Sequence, residues 1–123
     1  MVSSKFGALI GTLFLARDVA HREHLKTGSY AQHMALGDFY EGIVGLADQL
    51  AEAYQGIFNT TVDIPLLSHN EGDSIIDTLA AQLDYIHESR YEAVPREWTS
   101  LQNVVDEVEL IYAQTLYKLR RLK

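Results

Sequence analysis

The stretch of residues 17–55 reads RDVAHREHLKTGSYAQHMALGDFYEGIVGLADQLAEAYQ and determines how this chain folds. Thr27-Gly28-Ser29 near its middle is typical of a tight turn, because glycine suits a helix C-terminus and serine suits the N-cap of the next helix. The stretch therefore predicts the end of one helix, a turn and one long helix that returns beside the first as a hairpin.

The same hairpin contains four side chains that are suited to bind metal: His21, His33, Asp48 and Glu52. Asp48 and Glu52 are four residues apart, so both carboxylates lie on one face of a helix. His33 and Asp48 are separated by about 22 Å on a straight helix, whereas metal–ligand bonds are only about 2 Å long. A two-fold dimer with antiparallel hairpins would bring the histidines of one subunit to the carboxylates of its partner. We therefore predict a metal site between two subunits.

Apolar residues recur with helical spacing outside this hairpin as well. We predict a first helix over residues 4–26, a second over 30–55 that stops at Gly56, and a third over 74–92. A fourth opens at Pro95 and runs almost to residue 123. Gly7 and Gly11 lie one turn apart in the first helix and permit a close approach to another helix.

The connection between the second and third helices, residues 57–72, contains Pro65 and breaks the helical pattern. Fully extended, it reaches about 53 Å, which exceeds the length of the second helix, about 39 Å. It is therefore long enough to return along the bundle. We predict that residues 1–123 form one all-α domain, a ferritin-like four-helix bundle with this long crossover.

Composition excludes several classes of function. The chain has no cysteine, which excludes disulfides and cysteine nucleophiles, and five histidines with 17 acidic residues leave metal binding by nitrogen and oxygen open. The net charge of −7 predicts weak, salt-sensitive DNA binding, since basic residues cluster only in residues 118–123. Lys5 and the apolar residues 6–16 resemble the charged and apolar parts of a signal peptide, but the stretch is too short to span a bilayer. We predict a cytoplasmic protein without a membrane partner.

The intervals between the four ligand-type residues resemble those of the DNA-protecting mini-ferritins (Dps proteins) of the ferritin-like superfamily. His21 and His33, then Asp48 and Glu52, reproduce the order and spacing of that family, and residues 48–56, DQLAEAYQG, resemble its D-x-x-A-E-R stretch and following glycine. The chain is also similar to small ferritin-like proteins of bacteriophages. The resemblance implies Fe(II) oxidation at an intersubunit site in a homo-oligomer, at least a dimer, with iron, manganese or zinc as the metal.

Several positions depart from the mini-ferritin pattern. Arg22 replaces an aromatic residue, Gly37 stands where aspartate is frequent, and we expect no long basic N-terminal tail. Possible additional ligands are His24, Asp38 and Glu41. The departures favour a second hypothesis, a structural or assembly protein that keeps the bundle without catalysis.

A different metal site within one subunit is the alternative. Asp18 and His21 are three residues apart, as are Asp84 and His87, and acid-x-x-His pairs of this kind occur in di-metal carboxylate bundles. Both pairs lie late in their helices, the first and the third. The alternative site would therefore contain Asp18, Asp84 and His87.

Overall fold

A computed structural model describes residues 4–69 and 72–123 of the chain. They contain four α-helices and no strand: α1, Ser4–Lys26; α2, Tyr30–Phe58; α3, Ile75–Ala93; and α4, Thr99–Arg121. The protein is an all-α four-helix bundle, as predicted. None of the described helices combines the length and the apolarity needed to cross a bilayer.

The helices form a square in which each packs against two neighbours. α1 packs against α2 and α3, and α4 packs against the same two helices, so α1 and α4 lie on one diagonal. An ion pair from Lys5 to Glu92 joins the start of α1 to the end of α3. Phe58 and Trp98 join the end of α2 to the start of α4. Neighbouring helices are therefore antiparallel around the square.

Residues 59–69, which follow α2, lie along the outside of α1. A Cβ atom on Gly7 would collide with the carbonyl oxygen of Asp63, and one on Gly11 would lie 2.8 Å from the carbonyl oxygen of Pro65. Farther along, His69 lines a small pocket with Val19 and Lys26 of α1. The two glycines thus permit close approach to this crossover segment, where the sequence predicted an approach to a helix.

We expect Gly7→Ala and Gly45→Ala to change stability in opposite directions. Both positions are helical, but a Cβ on Gly45 has no neighbour within 4 Å. Gly45→Ala should therefore gain the helix propensity of alanine, about 1 kcal/mol. Gly7→Ala should cost about 1–3 kcal/mol, because the added methyl group must displace backbone. Urea unfolding followed by circular dichroism measures both, and stabilisation by Gly7→Ala would contradict the tight packing described here.

α1 has the predicted bounds, whereas the end of α2, the start of α4 and, by one residue each, both ends of α3 differ from the prediction. α2 continues through Gly56 to Phe58, and Asn59 caps it in the left-handed conformation at φ 49°. The ring of Phe58 lies 4.7 Å from that of Tyr54 and 5.9 Å from that of Trp98, centroid to centroid. This aromatic packing holds the last turn in place beyond a glycine that faces solvent.

α4 begins at Thr99, four residues after Pro95. Pro95 instead opens a turn in which the Trp98 amide donates to the Pro95 carbonyl oxygen at 3.1 Å. α3 begins one residue later than predicted, because Ser74 is its N-cap and accepts from the Asp77 amide at 3.0 Å.

Apolar residues of α1, α2 and α4 form most of the core. Tyr112 is fully buried at its centre, with its ring edge-on to Phe39 at 5.0 Å between centroids. Its hydroxyl donates to Gln82 Oε1 at 2.9 Å. Burial raises the pKa of Tyr112 above its ordinary value, so this phenol stays protonated.

A buried arginine joins α3 to α4. The guanidinium of Arg90 donates to Gln102 Oε1 at 2.8 Å, to the Gln102 carbonyl at 2.7 Å and to Glu109 Oε2 at 2.8 Å. It also pairs with Asp106 at 2.8 Å. Burial opposes the charge, but hydrogen bonds and attraction from Asp106 and Glu109 outweigh it and raise the pKa of Arg90. No local sequence pattern predicted this network.

Candidate metal centre

Two histidines, one on each helix, join α1 to α2 next to the hairpin turn. His24 Nδ1 lies 2.6 Å from the His33 carbonyl oxygen, and His33 Nδ1 lies 2.8 Å from the His24 carbonyl oxygen. The rings stack with centroids 3.7 Å apart and planes 19° from parallel. Because a carbonyl oxygen only accepts, Nδ1 is the donor in both rings, and Nε2 is the ring nitrogen that these two bonds leave unused.

Gly37 makes room for this pair. A Cβ atom at position 37 would lie 3.0 Å from His24 Cε1 and 3.3 Å from His24 Nδ1. Those separations are tighter than ordinary van der Waals contact, so a side chain here would push the His24 ring away from His33. The missing side chain of Gly37 therefore leaves the space that the imidazole of His24 occupies.

His21 belongs to the same cluster of rings through Tyr40. The two rings stack at 4.3 Å with planes 18° apart, and Tyr40 also meets His24 edge-on at 5.3 Å. The guanidinium of Arg17 lies 5.9 Å from the Tyr40 centroid. The three histidines are thus half-buried at one end of the bundle, with Tyr40 between His21 and His24. The sequence placed His21 and His33 at this end but did not identify the pairing of His24 with His33.

The signal for that pairing is the symmetry of the turn. His24 precedes Gly28 by four residues and His33 follows Ser29 by four, so both stand one helical turn from the hairpin connection. Two positions at equal distance from a tight turn between antiparallel helices lie at the same level of the hairpin, and here the two imidazoles also point at each other.

The candidate carboxylates lie elsewhere on α2. Asp48 and Glu52 are exposed, as are Asp38 and Glu41, while Ala47 and Leu50 point into the core. Neither Asp48 nor Glu52 forms a hydrogen bond or ion pair with the described part of the chain. Across residues 4–69 and 72–123, no three histidine, aspartate or glutamate side chains converge as metal ligands. A single chain therefore does not bring His21, His33, Asp48 and Glu52 together.

Nor do the alternative ligands converge. Asp18 is exposed and pairs with Arg17 at 3.0 Å. His87 is 72% exposed and donates from Nδ1 to Glu109 Oε1 at 3.0 Å. Asp84 shares a shallow pocket with His87 and Glu109 between α3 and α4, and α1 does not line that pocket. His87 therefore extends the Arg90–Glu109 network to the surface.

These donors determine what chemistry is available. Imidazole nitrogen and carboxylate oxygen suit iron, manganese and zinc. The end of the bundle that holds His21, His24 and His33 supplies nitrogen donors, and bonds from Nδ1 fix the tautomer of His24 and His33. The exposed face of α2 that carries Asp38, Glu41, Asp48 and Glu52, here called the outer stripe of α2, supplies oxygen donors. A centre that combines His21 and His33 with Asp48 and Glu52 would therefore require a second copy of the chain.

One comparison with known proteins identifies a family. Residues 24–119 match a protein-family model described as a family of unknown function, DUF5856. This range includes His24, His33, Asp48 and Glu52 and begins after His21. Neither the curated proteins nor the solved structures include a match to the chain. Because the match extends over well more than half of its residues, the chain belongs to the DUF5856 family.

Proposed function

We propose that this protein is a ferritin-like iron-binding protein that oxidises Fe(II) at a site between two copies of the chain. His21 and His33 of one copy bind the iron together with Asp48 and Glu52 of the other. The observation that carries the proposal is the hydrogen bond from His33 Nδ1 to the His24 carbonyl oxygen. Bonds of this type hold metal-binding histidines in one tautomer and orientation, with Nε2 as the ligand atom.

The carboxylates support the proposal through their position. Asp48 and Glu52 lie one turn apart on the exposed face of α2 and have no intrachain partner among the described residues. Iron is the substrate here, and each Fe(II) loses one electron with dissolved dioxygen as the oxidant. Imidazole suits Fe(II), and hard carboxylate oxygens stabilise the ferric product.

Charge also favours an antiparallel arrangement of two copies. The end of the bundle that holds the histidines also holds Lys26 and the C-terminal end of α4, with Lys118, Arg120 and Arg121. The outer stripe of α2 is acidic. Antiparallel copies place the basic end of each near the acidic stripe of the other, and such complementarity favours this orientation over a parallel one.

Anaerobic Fe(II) titration followed by exposure to oxygen tests the proposal. We expect about one iron centre per copy, hence two per dimer by symmetry, and oxidation faster than in protein-free buffer. Oxidation at the buffer rate would reject the activity. Sedimentation at micromolar concentration provides the second measurement, and a stable monomer with and without metal would exclude a shared site.

A specific observation favours the second candidate, a non-catalytic structural or assembly bundle. His24 and His33 stack on each other and bond to each other's backbone, so both rings already contribute to the hairpin joint. In this case the wild-type protein binds neither iron, manganese nor zinc, and the acidic stripe of α2 is an ordinary solvated helix face.

A further inference from the structure

The crossover segment presents an apolar side chain to solvent. Leu66 is fully exposed, and the next residue, Leu67, turns towards the helices. Phe14, which stands one turn after Gly11, and Tyr85 of α3 are also partly exposed. Isolated exposed apolar residues are common on protein surfaces, but several around one segment indicate a contact surface.

Beside Leu66 lies an apolar groove of about 400 Å³ between α1 and α3. Its walls include Ala8 and Leu15 of α1, Leu67 of the crossover, and Ala81, Gln82 and Tyr85 of α3. None of the residues that line it is charged. We call Leu66 and this groove the crossover face.

We infer that the crossover face binds a second copy of the same chain, with Leu66 of each copy in the groove of the other. The projecting leucine and the groove are neighbours on one side of the bundle. A single two-fold axis can therefore seat both leucines at once, which is the property of an isologous interface. The crossover joins the leucine to the groove wall and fixes their relative position.

Charge and area both suit a second copy as the occupant. Two chains of net charge −7 repel each other, and an uncharged face is where they can meet without opposing carboxylates. A standard interface buries about 800 Å² per partner, roughly one ninth of the 7171 Å² surface of this chain.

This contact is independent of the proposed iron site. It uses the side of the bundle between α1 and α3, whereas the iron proposal uses the outer stripe of α2 and the hairpin end. If both contacts form, each copy has two different partners, and the assembly is larger than a dimer.

Cysteine cross-linking tests the geometry directly, because the chain has no cysteine of its own. Leu66→Cys and Ala81→Cys proteins are mixed and oxidised, and the products are separated without reductant. We expect a disulfide-linked dimer that contains one chain of each variant. Leu110→Cys mixed with Ala81→Cys is the matched control, since Leu110 is also exposed but lies in the middle of α4, outside both proposed contacts. Equal cross-linking in both mixtures, or none in the first, would overturn the inference.

Sedimentation equilibrium of Leu66→Asp gives a second, independent measurement. A buried unpaired carboxylate should raise the dissociation constant of this contact by about 100-fold or more, whereas Leu110→Asp should leave the mass unchanged. A wild-type monomer, or an assembly that Leu66→Asp does not weaken, would overturn the inference. Iron binding reports separately on the other proposal: a wild type that binds no iron but loses mass on Leu66→Asp would reject only the iron site.

Discussion

Replacing Arg90 with alanine should destabilise the bundle by about 3–5 kcal/mol, the usual cost of removing one partner from a buried charged network. The substitution leaves the Gln102 side-chain and carbonyl oxygens without their donor, and it leaves Glu109 without its cation. Asp106 is more exposed and should contribute little, because water replaces its partner. Most of the loss therefore comes from Gln102 and Glu109.

The same network holds the turn between α3 and α4. The side-chain nitrogen of Gln102, Nε2, donates to the Val94 carbonyl oxygen at 3.0 Å, while the side-chain oxygen, Oε1, accepts from Arg90. Loss of the guanidinium frees Gln102 to rotate and so weakens the turn as well. Arg90→Lys should recover little stability, since one ammonium group cannot reproduce the planar set of donors.

Arg96→Ala is the matched control for this prediction. Arg96 lies in the neighbouring turn, exposed, with its guanidinium 3.7 Å from the Tyr91 ring centroid. An exposed cation–π contact of this kind contributes about 0.5–1 kcal/mol. Urea unfolding at neutral pH measures both variants. A loss for Arg90→Ala no larger than that for Arg96→Ala would mean that the buried network is not a major source of stability.

The helices were predictable because their signals are local. Apolar spacing along α1 and the turn at Gly28 and Ser29 depend on neighbouring residues only, so the bounds of α1 and the start of α2 agree with the prediction. The end of α2 was wrong because Gly56 is tolerated where Phe58 packs on Tyr54 and Trp98. Trp98 is distant in sequence, and no local pattern contains that contact.

In the candidate site, too, the features set by local geometry were predictable and those set by helix packing were not. The separation of His33 from Asp48 follows from helix geometry alone, and it correctly predicted that one chain would keep these side chains apart. The pairing of His24 with His33 depends on how two helices meet after the turn. The role of Gly37 follows from that pairing, because its missing side chain matters only once the His24 ring lies beside it.

Asp48→Ala should abolish Fe(II) binding at both symmetric centres if the shared site exists. Each centre takes one Asp48, so a single substitution in the chain removes a ligand from every site in the dimer. The fold should remain intact, because an exposed carboxylate contributes little to stability. Removing its repulsion from Glu52 one turn away should even gain about 0.2–0.5 kcal/mol in the metal-free protein. Isothermal titration with Fe(II) under anaerobic conditions, with circular dichroism as the test of folding, measures both effects.

Asp84→Ala is the control for Asp48→Ala, since it removes an equally exposed aspartate from a helix face that the shared site does not use. Under the intersubunit proposal it leaves iron binding and oxidation unchanged. Loss of binding in Asp84→Ala with retention in Asp48→Ala would instead assign the metal to the side of α3 that carries His87, and the shared site would be rejected. If wild type and both variants bind no iron, manganese or zinc, Asp48 and Glu52 belong to a solvated helix face. In that case His24 and His33 only stabilise the α1–α2 hairpin, and the result supports a non-catalytic structural or assembly protein.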